Sequence, residues 1–376
     1  MKIIADENIP FVKECFAHLA DITTVGGRNI TAEMLKDADA MLVRSITKVG
    51  AKLLAGSAVK FVGTATIGRE HIDEEYLTRN NIGFASAPGS NANSVAEYIV
   101  SAMLNLAEKH KFNLSEKSLG IVGVGNVGSK VEKKAKALGM KVVLNDPPLQ
   151  RETGDKKYRP IEEIFSCDFV TLHTPLTSIG IDKTCHLANK VFFEALKPSA
   201  IFMNSSRGDV HDTVALKNAL ITGKLGGCVL DVWENEPDID VDLLKMVDFA
   251  TPHIAGYSYD GKVDGMIMIY EALCRHFGIE AKNSISDFLP APAVEKIEIA
   301  KDGQDAILDA ANMLYDIKAD DAKIREMISA EPNERGVFFD GLRKGYHIRR
   351  EFQNTTVCTK DEKLKKILGG IGFKTE

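Results

Sequence analysis

Residues 118–146, SLGIVGVGNVGSKVEKKAKALGMKVVLND, decide the fold. An apolar run (Leu119, Ile121, Val122), short enough for one buried strand, ends in Gly123-Val124-Gly125-Asn126-Val127-Gly128. A helical stretch follows from Ser129 to Leu138, then Gly139, then a second apolar run, Lys141 to Leu144, closed by Asp146. Strand, glycine turn, helix and strand in that order form a dinucleotide-binding unit. Gly123 permits the tight turn, Gly125 lets a pyrophosphate approach the backbone, and Gly128 lets the helix pack on the strand. The start of the helix adds free N–H groups and a positive dipole end for the phosphates. Alone, G-x-G-x-x-G also fits an ordinary strand–helix turn. Here both flanks fit, and an acid stands roughly 20 residues on. Asp146 would accept hydrogen bonds from the adenosine ribose and repel a 2′-phosphate, which favours NAD over NADP.

Downstream, the chain repeats short apolar runs that end in polar residues. Phe169–Leu172 runs into His173-Thr174-Pro175, and Ala200–Met203 into Asn204-Ser205-Ser206-Arg207-Gly208. Gly227–Leu230 is closed by Asp231, and Asp248–Ala250 runs into Thr251-Pro252-His253-Ile254-Ala255-Gly256-Tyr257. Polar residues at successive strand ends (Thr174, Arg207, Asp231, His253) are what a shared crevice needs and a bare scaffold does not. Upstream, residues 1 to about 90 alternate apolar runs with amphipathic stretches, the pattern of a small parallel α/β domain. Helices are expected there at Thr31–Lys36 and Arg69–Asn80, among others. Two of its strand ends carry Arg44-Ser45 and Thr64-Ala65-Thr66, where Ser45 and Thr66 would either touch a ligand or cap the next turn. A long helix over Asn91–His110 delivers the chain into the glycine unit, and one over Ser258–Gly278 could return it to the first domain. Leu289-Pro290-Ala291-Pro292 reads as a linker, followed by about 85 residues with a helix near Asp305–Ile317, a strand near Thr355–Cys358 and a helix from Asp361 to Leu368.

At 376 residues, two or three domains are expected, and 44% apolar residues supply their cores. The net charge of −6, with no basic run interleaved with aromatics, argues against a nucleic-acid partner. No apolar stretch approaches the roughly 18 residues of a membrane span, and the opening MKIIADENIP reads as a strand. Six cysteines without C-x-x-C spacing read as buried thiols in a reducing compartment, so a cytoplasmic location is expected, with no metal.

Three residues carry the chemistry. Arg207, followed by Gly208, can project a planar fork of donors suited to a carboxylate. Glu236 lies in a loop beyond the strand ending at Asp231. His253 sits between Pro252 and an Ile-Ala-Gly turn. A carboxylate bonded to an imidazole fixes its tautomer and stabilises the imidazolium. Singly, they also read as a surface charge, a loop acid and a turn histidine. Together, beside a nucleotide unit, they read as a site.

These residues resemble the D-isomer-specific 2-hydroxyacid dehydrogenases, in Ile121–Gly128 with Asp146, Asn204–Gly208, Leu230-Asp231-Val232-Trp233 with Glu236-Pro237, and Thr251-Pro252-His253. The resemblance implies that Arg207 holds the substrate carboxylate, and that Glu236 orients His253, which takes the hydroxyl proton as hydride passes to NAD. It implies that Asp231 meets the carboxamide end of the cofactor, and that Thr174, Ser205, Ser206 and Gly256 line its groove. Asp209 and His211 depart from the family, which has a small and an aliphatic residue there. Met1–Pro10, Val43–Val49, Lys60–Thr66, Thr251–Tyr257 and the C-terminal region resemble one branch acting on a phosphorylated 2-hydroxy acid. That branch implies Ser45, Thr66 and Tyr257 as substrate contacts. The phosphate then asks for a further cation: Arg44 or the Arg349-Arg350 pair, the latter reading more readily as a solvated basic helix face.

The expected architecture is a Rossmann-type NAD-binding domain (93–257) inserted in a flavodoxin-like substrate domain (1–92 and 258–286). A small C-terminal α+β domain (287–376) follows, and the resemblance implies that it serves dimerisation, so a homodimer is expected. Two other readings remain open here: a related dehydrogenase of the phosphoglycerate type, and an NAD-sensing co-repressor built on the same fold, for which His253 would be dispensable.

Overall fold

The computed structural model describes residues 1–376, which divide into two compact units: Met1–Asn91 with Ser258–Ala291, and Ala92–Tyr257 with Pro292–Glu376. In the first unit five strands form one parallel sheet: β1 (Lys2–Asp6), β2 (Asp21–Val25), β3 (Ala40–Val43), β4 (Phe61–Thr64) and β5 (Gly83–Ala85). Their order, β2-β1-β3-β4-β5, is the flavodoxin-like arrangement. The interior strands β3 and β4 are buried along their whole length, as strands covered on both faces must be. The Tyr259–Phe277 helix belongs to this unit and buries Val263, Met266, Ile269, Tyr270 and Leu273 against it.

Two expected helices of this unit are shorter than the periodicity suggests. Thr31–Lys36 forms only a 3₁₀ turn, Glu33–Leu35, since so short a stretch cannot recover the cost of helix nucleation. Arg69–Asn80 becomes helical only from Glu74 to Arg79, because Asp73 accepts the Tyr76 N–H (2.9 Å) and starts it there.

In the second unit six parallel strands follow: β6 (Ser118–Val122), β7 (Lys141–Asn145), β8 (Phe169–Leu172), β9 (Ala200–Asn204), β10 (Leu225–Leu230) and β11 (Phe249–Ala250). They are ordered β11-β10-β9-β8-β6-β7, so the strand order reverses between β6 and β8. A ligand crevice belongs outside the carboxyl ends of those two strands. The Ala92–His110 helix is buried almost all round rather than along one stripe. One cause is the C-terminal segment: Asn105 donates to Asn312 (2.9 Å), and the Leu114 N–H to Gln304 (2.8 Å).

That segment carries its own parallel sheet, β12 (Lys296–Glu298), β13 (Thr356–Cys358) and β14 (Lys374–Thr375), ordered β12-β13-β14. The helix expected through Ile317 ends at Leu314, because Tyr315 is extended and Asp316 caps a new helix, Ile317–Arg325. Asp321 of that helix accepts the Ala250 N–H (2.7 Å), closing a donor on the edge strand β11. No helix is long and apolar enough to cross a membrane. All six cysteines are free thiols, four of them buried.

Candidate active site

The glycine turn lies at the strand-order reversal. Gly123 adopts φ +86°, and a Cβ there would stand 2.7 Å from the His173 carbonyl oxygen, so the ends of β6 and β8 nearly touch. A Cβ on Gly128 would collide with the Gly123 carbonyl, which is why the Asn126–Ala137 helix needs glycine at that position. A Cβ on Gly125 would meet nothing within 4 Å. Open space at the start of a helix is what a phosphate requires. Asp146 ends β7, where its carboxylate accepts the Val124 N–H (2.8 Å) and the Leu149 N–H (3.0 Å). It therefore steadies the glycine turn while retaining lone pairs for a ribose.

Beside the turn, the hydroxyls of Thr174 and Ser205 and Nδ1 of His173 are buried with no partner in the protein. Unfilled polar atoms at the ends of β8 and β9, next to an open helix start, fit a bound dinucleotide. His173 is held neutral, its pKa pushed down to about 3 by burial. Ser206 is committed internally, its N–H (3.0 Å) and hydroxyl (2.8 Å) both donating to Asn204 Oδ1.

Arg207 follows in extended backbone, with Nη1 donating to the Ser206 carbonyl (2.8 Å). Gly208 has no room for a side chain, because the Trp233–Glu234 backbone lies against it. This contact brings the loop after β9 to the loop after β10, where Glu236 sits. Asn204 Nδ2 donates to the Arg207 carbonyl (2.9 Å) and meets His211 Nδ1 (3.0 Å). His211 is fully buried, and burial pushes its pKa down to about 4. The neutral ring must then accept at Nδ1, so this departure from the family acts as a support for Asn204. Asp209, the other departure, is exposed, and its carboxylate has no structural explanation.

His253 and Glu236 form the pair expected of them. His253 Nδ1 lies 2.7 Å from Glu236 Oε2, while Glu236 Oε1 accepts the Trp233 N–H (2.9 Å). The side chains are 32% and 19% exposed, so the imidazole is reachable while its partner is mostly covered. Burial alone would raise the Glu236 pKa; the His253 charge and hydrogen bond, the Trp233 N–H and the Arg343 charge outweigh it, and the net direction is down. Glu236 therefore stays ionised and fixes the tautomer with Nε2 facing outward.

The backbone at His253 is left-handed (φ +58°), a conformation that a non-glycine residue keeps only when its surroundings impose it. Asp231 supplies the constraint. Its Oδ1 accepts the Thr251 hydroxyl (2.7 Å) and the N–H groups of Ile254 (2.7 Å) and Ala255 (3.0 Å), and its backbone carbonyl accepts the His253 N–H (2.7 Å). The residue assigned to the cofactor is thus first the pin of the histidine loop, with its pKa raised by burial. Sequence reasoning did not find Tyr98, Trp233 and Arg349 in this role. Tyr98 meets the Thr251 hydroxyl (2.9 Å), Trp233 Nε1 donates to the Thr251 carbonyl (3.0 Å), and Arg349 Nη2 to the Ala255 carbonyl (2.6 Å).

The Arg349-Arg350 pair is neither a solvated helix face nor a ready phosphate site. Both residues are non-helical and buried: Arg349 Nη2 donates to the Ala255 carbonyl while its Nη1 is sealed without a partner, and Arg350 Nη2 donates to Asn354 (2.8 Å). Tyr257 lies edge-on to Tyr346, ring centres 6.0 Å apart. In the other unit, Arg44 and the exposed Ser45 follow β3, and Thr66 follows the neighbouring β4. The Thr66 hydroxyl is engaged with Thr64 (2.8 Å) and the Gly68 carbonyl (3.1 Å). No cluster of potential ligands could hold a metal ion.

Comparison with known proteins gives a consistent result. Residues 92–255 match the model of the D-isomer specific 2-hydroxyacid dehydrogenase NAD-binding domain, and 288–372 match a domain of unknown function. The chain is 43% identical over 375 residues to the erythronate-4-phosphate dehydrogenases of Escherichia coli O1:K1 and Escherichia fergusonii, covering 99% of this chain and 98% of each relative. Among solved structures it is similar to the D-lactate dehydrogenase of Aquifex aeolicus in complex with NAD and lactic acid. That match has a TM-score of 0.61 and 25% identity, over 74% of this chain and 96% of that one. It is likewise similar to the NAD⁺-bound 3-phosphoglycerate dehydrogenase of Entamoeba histolytica, with a TM-score of 0.64 and 25% identity, over 74% and 95%.

Proposed function

The chain belongs to the D-isomer-specific 2-hydroxyacid dehydrogenases, among the erythronate-4-phosphate dehydrogenases, and from that premise we propose that it oxidises 4-phospho-D-erythronate to 2-oxo-3-hydroxy-4-phosphobutanoate with NAD. The observation that carries the reading is the His253–Glu236 pair, 2.7 Å apart, with the imidazole partly open. When bound, NAD supplies the acceptor for the hydride leaving the carbinol carbon. His253 Nε2 takes the hydroxyl proton as that hydride leaves, and Glu236 stabilises the imidazolium that results. Arg207 holds the carboxylate and the oxygen that becomes the ketone. Gly123, Gly125, Asn126, Val127 and Gly128 receive the pyrophosphate, and Asp146 the ribose. Thr174, Ser205, Ser206, Asp231 and Gly256 line the remainder of the groove. For Arg44, Ser45, Thr66 and Tyr257 as substrate contacts, the support is the sequence resemblance.

The same resemblance implies a place in pyridoxal 5′-phosphate (vitamin B6) synthesis and a homodimer formed through the C-terminal segment. Exposed Met313, Val337 and Ile348 suit such an interface. A single-chain mass at equilibrium in the ultracentrifuge would remove the dimer from this reading. Free cysteines suit the reducing cytoplasm.

The deciding experiment follows NADH formation for wild type and His253→Ala with 4-phospho-D-erythronate, 3-phosphoglycerate and D-lactate. We expect turnover of the first substrate, falling on the order of 10³-fold in the variant. Equal activity in the two proteins overturns the proton-transfer role, and preference for 3-phosphoglycerate overturns the substrate.

A further inference from the structure

We propose that Arg343, in the C-terminal segment, binds the terminal phosphate of the substrate and so sets the preference for a phosphorylated 2-hydroxy acid. The inference rests on the reading above, which names Arg44 as a substrate contact, and adds a further cation to it. A phosphate dianion beside a carboxylate on one small molecule requires a second cation besides the one that holds the carboxylate. In this unit Arg349 and Arg350 are buried, 3% and 9% exposed, and Arg325 donates to the carbonyls of Leu244 (2.9 Å) and Val247 (2.8 Å) and pairs with Asp321.

Arg343 differs from these in placement and in partners. It lies in the last turn of the Arg335–Lys344 helix, which starts against the loop following Glu236. A Cβ on Gly336 would stand 2.7 Å from Asp238 Oδ1 and 3.3 Å from Pro237. Seven residues are close to two helical turns, so Gly336 and Arg343 share one face and the arginine lies further along the surface that meets this loop. Phe339, between them, is buried in the core with Trp233, Ile239 and Leu244 and holds the helix in place. The guanidinium carbon lies 5.9 Å from the centre of the Tyr257 ring, and its charge reaches Glu236 strongly enough to help lower that carboxyl.

Its own needs are incompletely met. The Tyr257 side chain hydrogen-bonds it and an Asp340 carboxylate oxygen lies at 3.8 Å, while its Nε is buried without a partner. The side chain is 24% exposed, so the fork is partly open to an incoming anion. In the proposed substrate the phosphorus is four bonds from the carbinol carbon. A molecule whose hydroxyl meets His253 Nε2 carries its phosphate about 5 Å from the reacting carbon, and Tyr257, a substrate contact in the reading above, lies beside Arg343. The residue is a binding and specificity residue and takes no proton.

The test compares wild type, Arg343→Met and Arg343→Lys. The ratio of kcat/KM for 4-phospho-D-erythronate to that for unphosphorylated D-erythronate should fall on the order of 10²-fold in Arg343→Met, chiefly through KM. Arg343→Lys should recover part of it. An unchanged ratio overturns the proposal, because a residue acting only through Glu236 would slow both substrates alike. Independently, calorimetry of inorganic phosphate against the NADH-loaded protein should show binding by wild type that Arg343→Met weakens at least tenfold. Equal affinities, or no binding by wild type, overturn the assignment. If wild type turns over neither erythronate, the dehydrogenase reading fails, while the phosphate titration still decides the arginine. NADH affinity unchanged across the three proteins confirms that each has folded.

Discussion

The second unit contains two carboxylate–cation groups, one sealed and one open. In the sealed group, Glu97 Oε1 lies 3.7 Å from Lys134 Nζ and accepts from Asn93 (2.9 Å) and the Phe352 N–H (3.1 Å). Lys134 donates to the Ile371 carbonyl, and Glu351 accepts from Asn93 (2.6 Å) and Ser94 (3.0 Å). Glu97, Lys134, Glu351 and Arg349 are each 3–4% exposed. In the open group, Glu236 faces His253, whose Nε2 has no protein partner, with Arg343 nearby. The charges are of the same kind, yet only the second group can meet a small molecule. Sealed charges hold the C-terminal segment against the nucleotide-binding helices; open ones leave a valence for substrate. Burial pushes Glu97 up to about 8, despite the opposing charge of Lys134, whereas Glu236 is drawn down.

Removing one cation from the sealed group should cause the largest change. Lys134→Met deprives the Ile371 carbonyl of its buried donor and Glu97 of its facing cation, and we expect a loss of about 1–3 kcal/mol in chemical denaturation, with the fraction that still folds active. A change below about 1 kcal/mol would erase the distinction between the two groups. In the open group, Glu236→Gln is nearly isosteric and keeps one acceptor, so it should change stability by about 1 kcal/mol or less, yet lower kcat/KM on the order of 10²-fold. Stability and turnover are read from one preparation, and a large stability loss there would make Glu236 a structural residue.

The smallest effect concerns His211, which supports Asn204. Its folded pKa of about 4 lies below the usual 6.5, so the unfolded chain binds more protons between those values. The stability this residue contributes is complete above pH 6.5 and falls as pH drops toward 4. It amounts to about 2 kcal/mol between pH 7 and pH 5. His211→Gln should flatten that part of the stability–pH curve, and an identical slope in the variant would remove the assignment.

The open group was largely legible in the sequence, and the sealed one was not. Gly123, Asp146, Arg207 and His253 lie just after strands and Glu236 in the loop after one, so a reading of strand ends finds them, and the family motifs supply their roles. Partners from distant segments leave no local trace. Glu97, Lys134 and Glu351 are brought together by helix packing across more than 200 residues, and each reads alone as an ordinary surface charge. Arg343 was visible only as one charge in a basic stretch, whose other members, Arg349 and Arg350, proved buried. Helix ends were misjudged wherever one side chain decided them, as with Asp73 and Asp316, because periodicity reports a face and not a stop.

Gly370, near the end of the chain, packs so closely on Ala137 that a Cβ there would collide with it, and Lys134 reaches from the same helix to Ile371. The Asn126–Ala137 helix, whose first turn is the proposed pyrophosphate site, is therefore anchored at its far end by Gly370 and Ile371. Linkage runs in both directions through such an anchor: any free energy by which the docked tail favours the nucleotide is returned, in equal measure, as grip of the nucleotide-bound protein on its own tail.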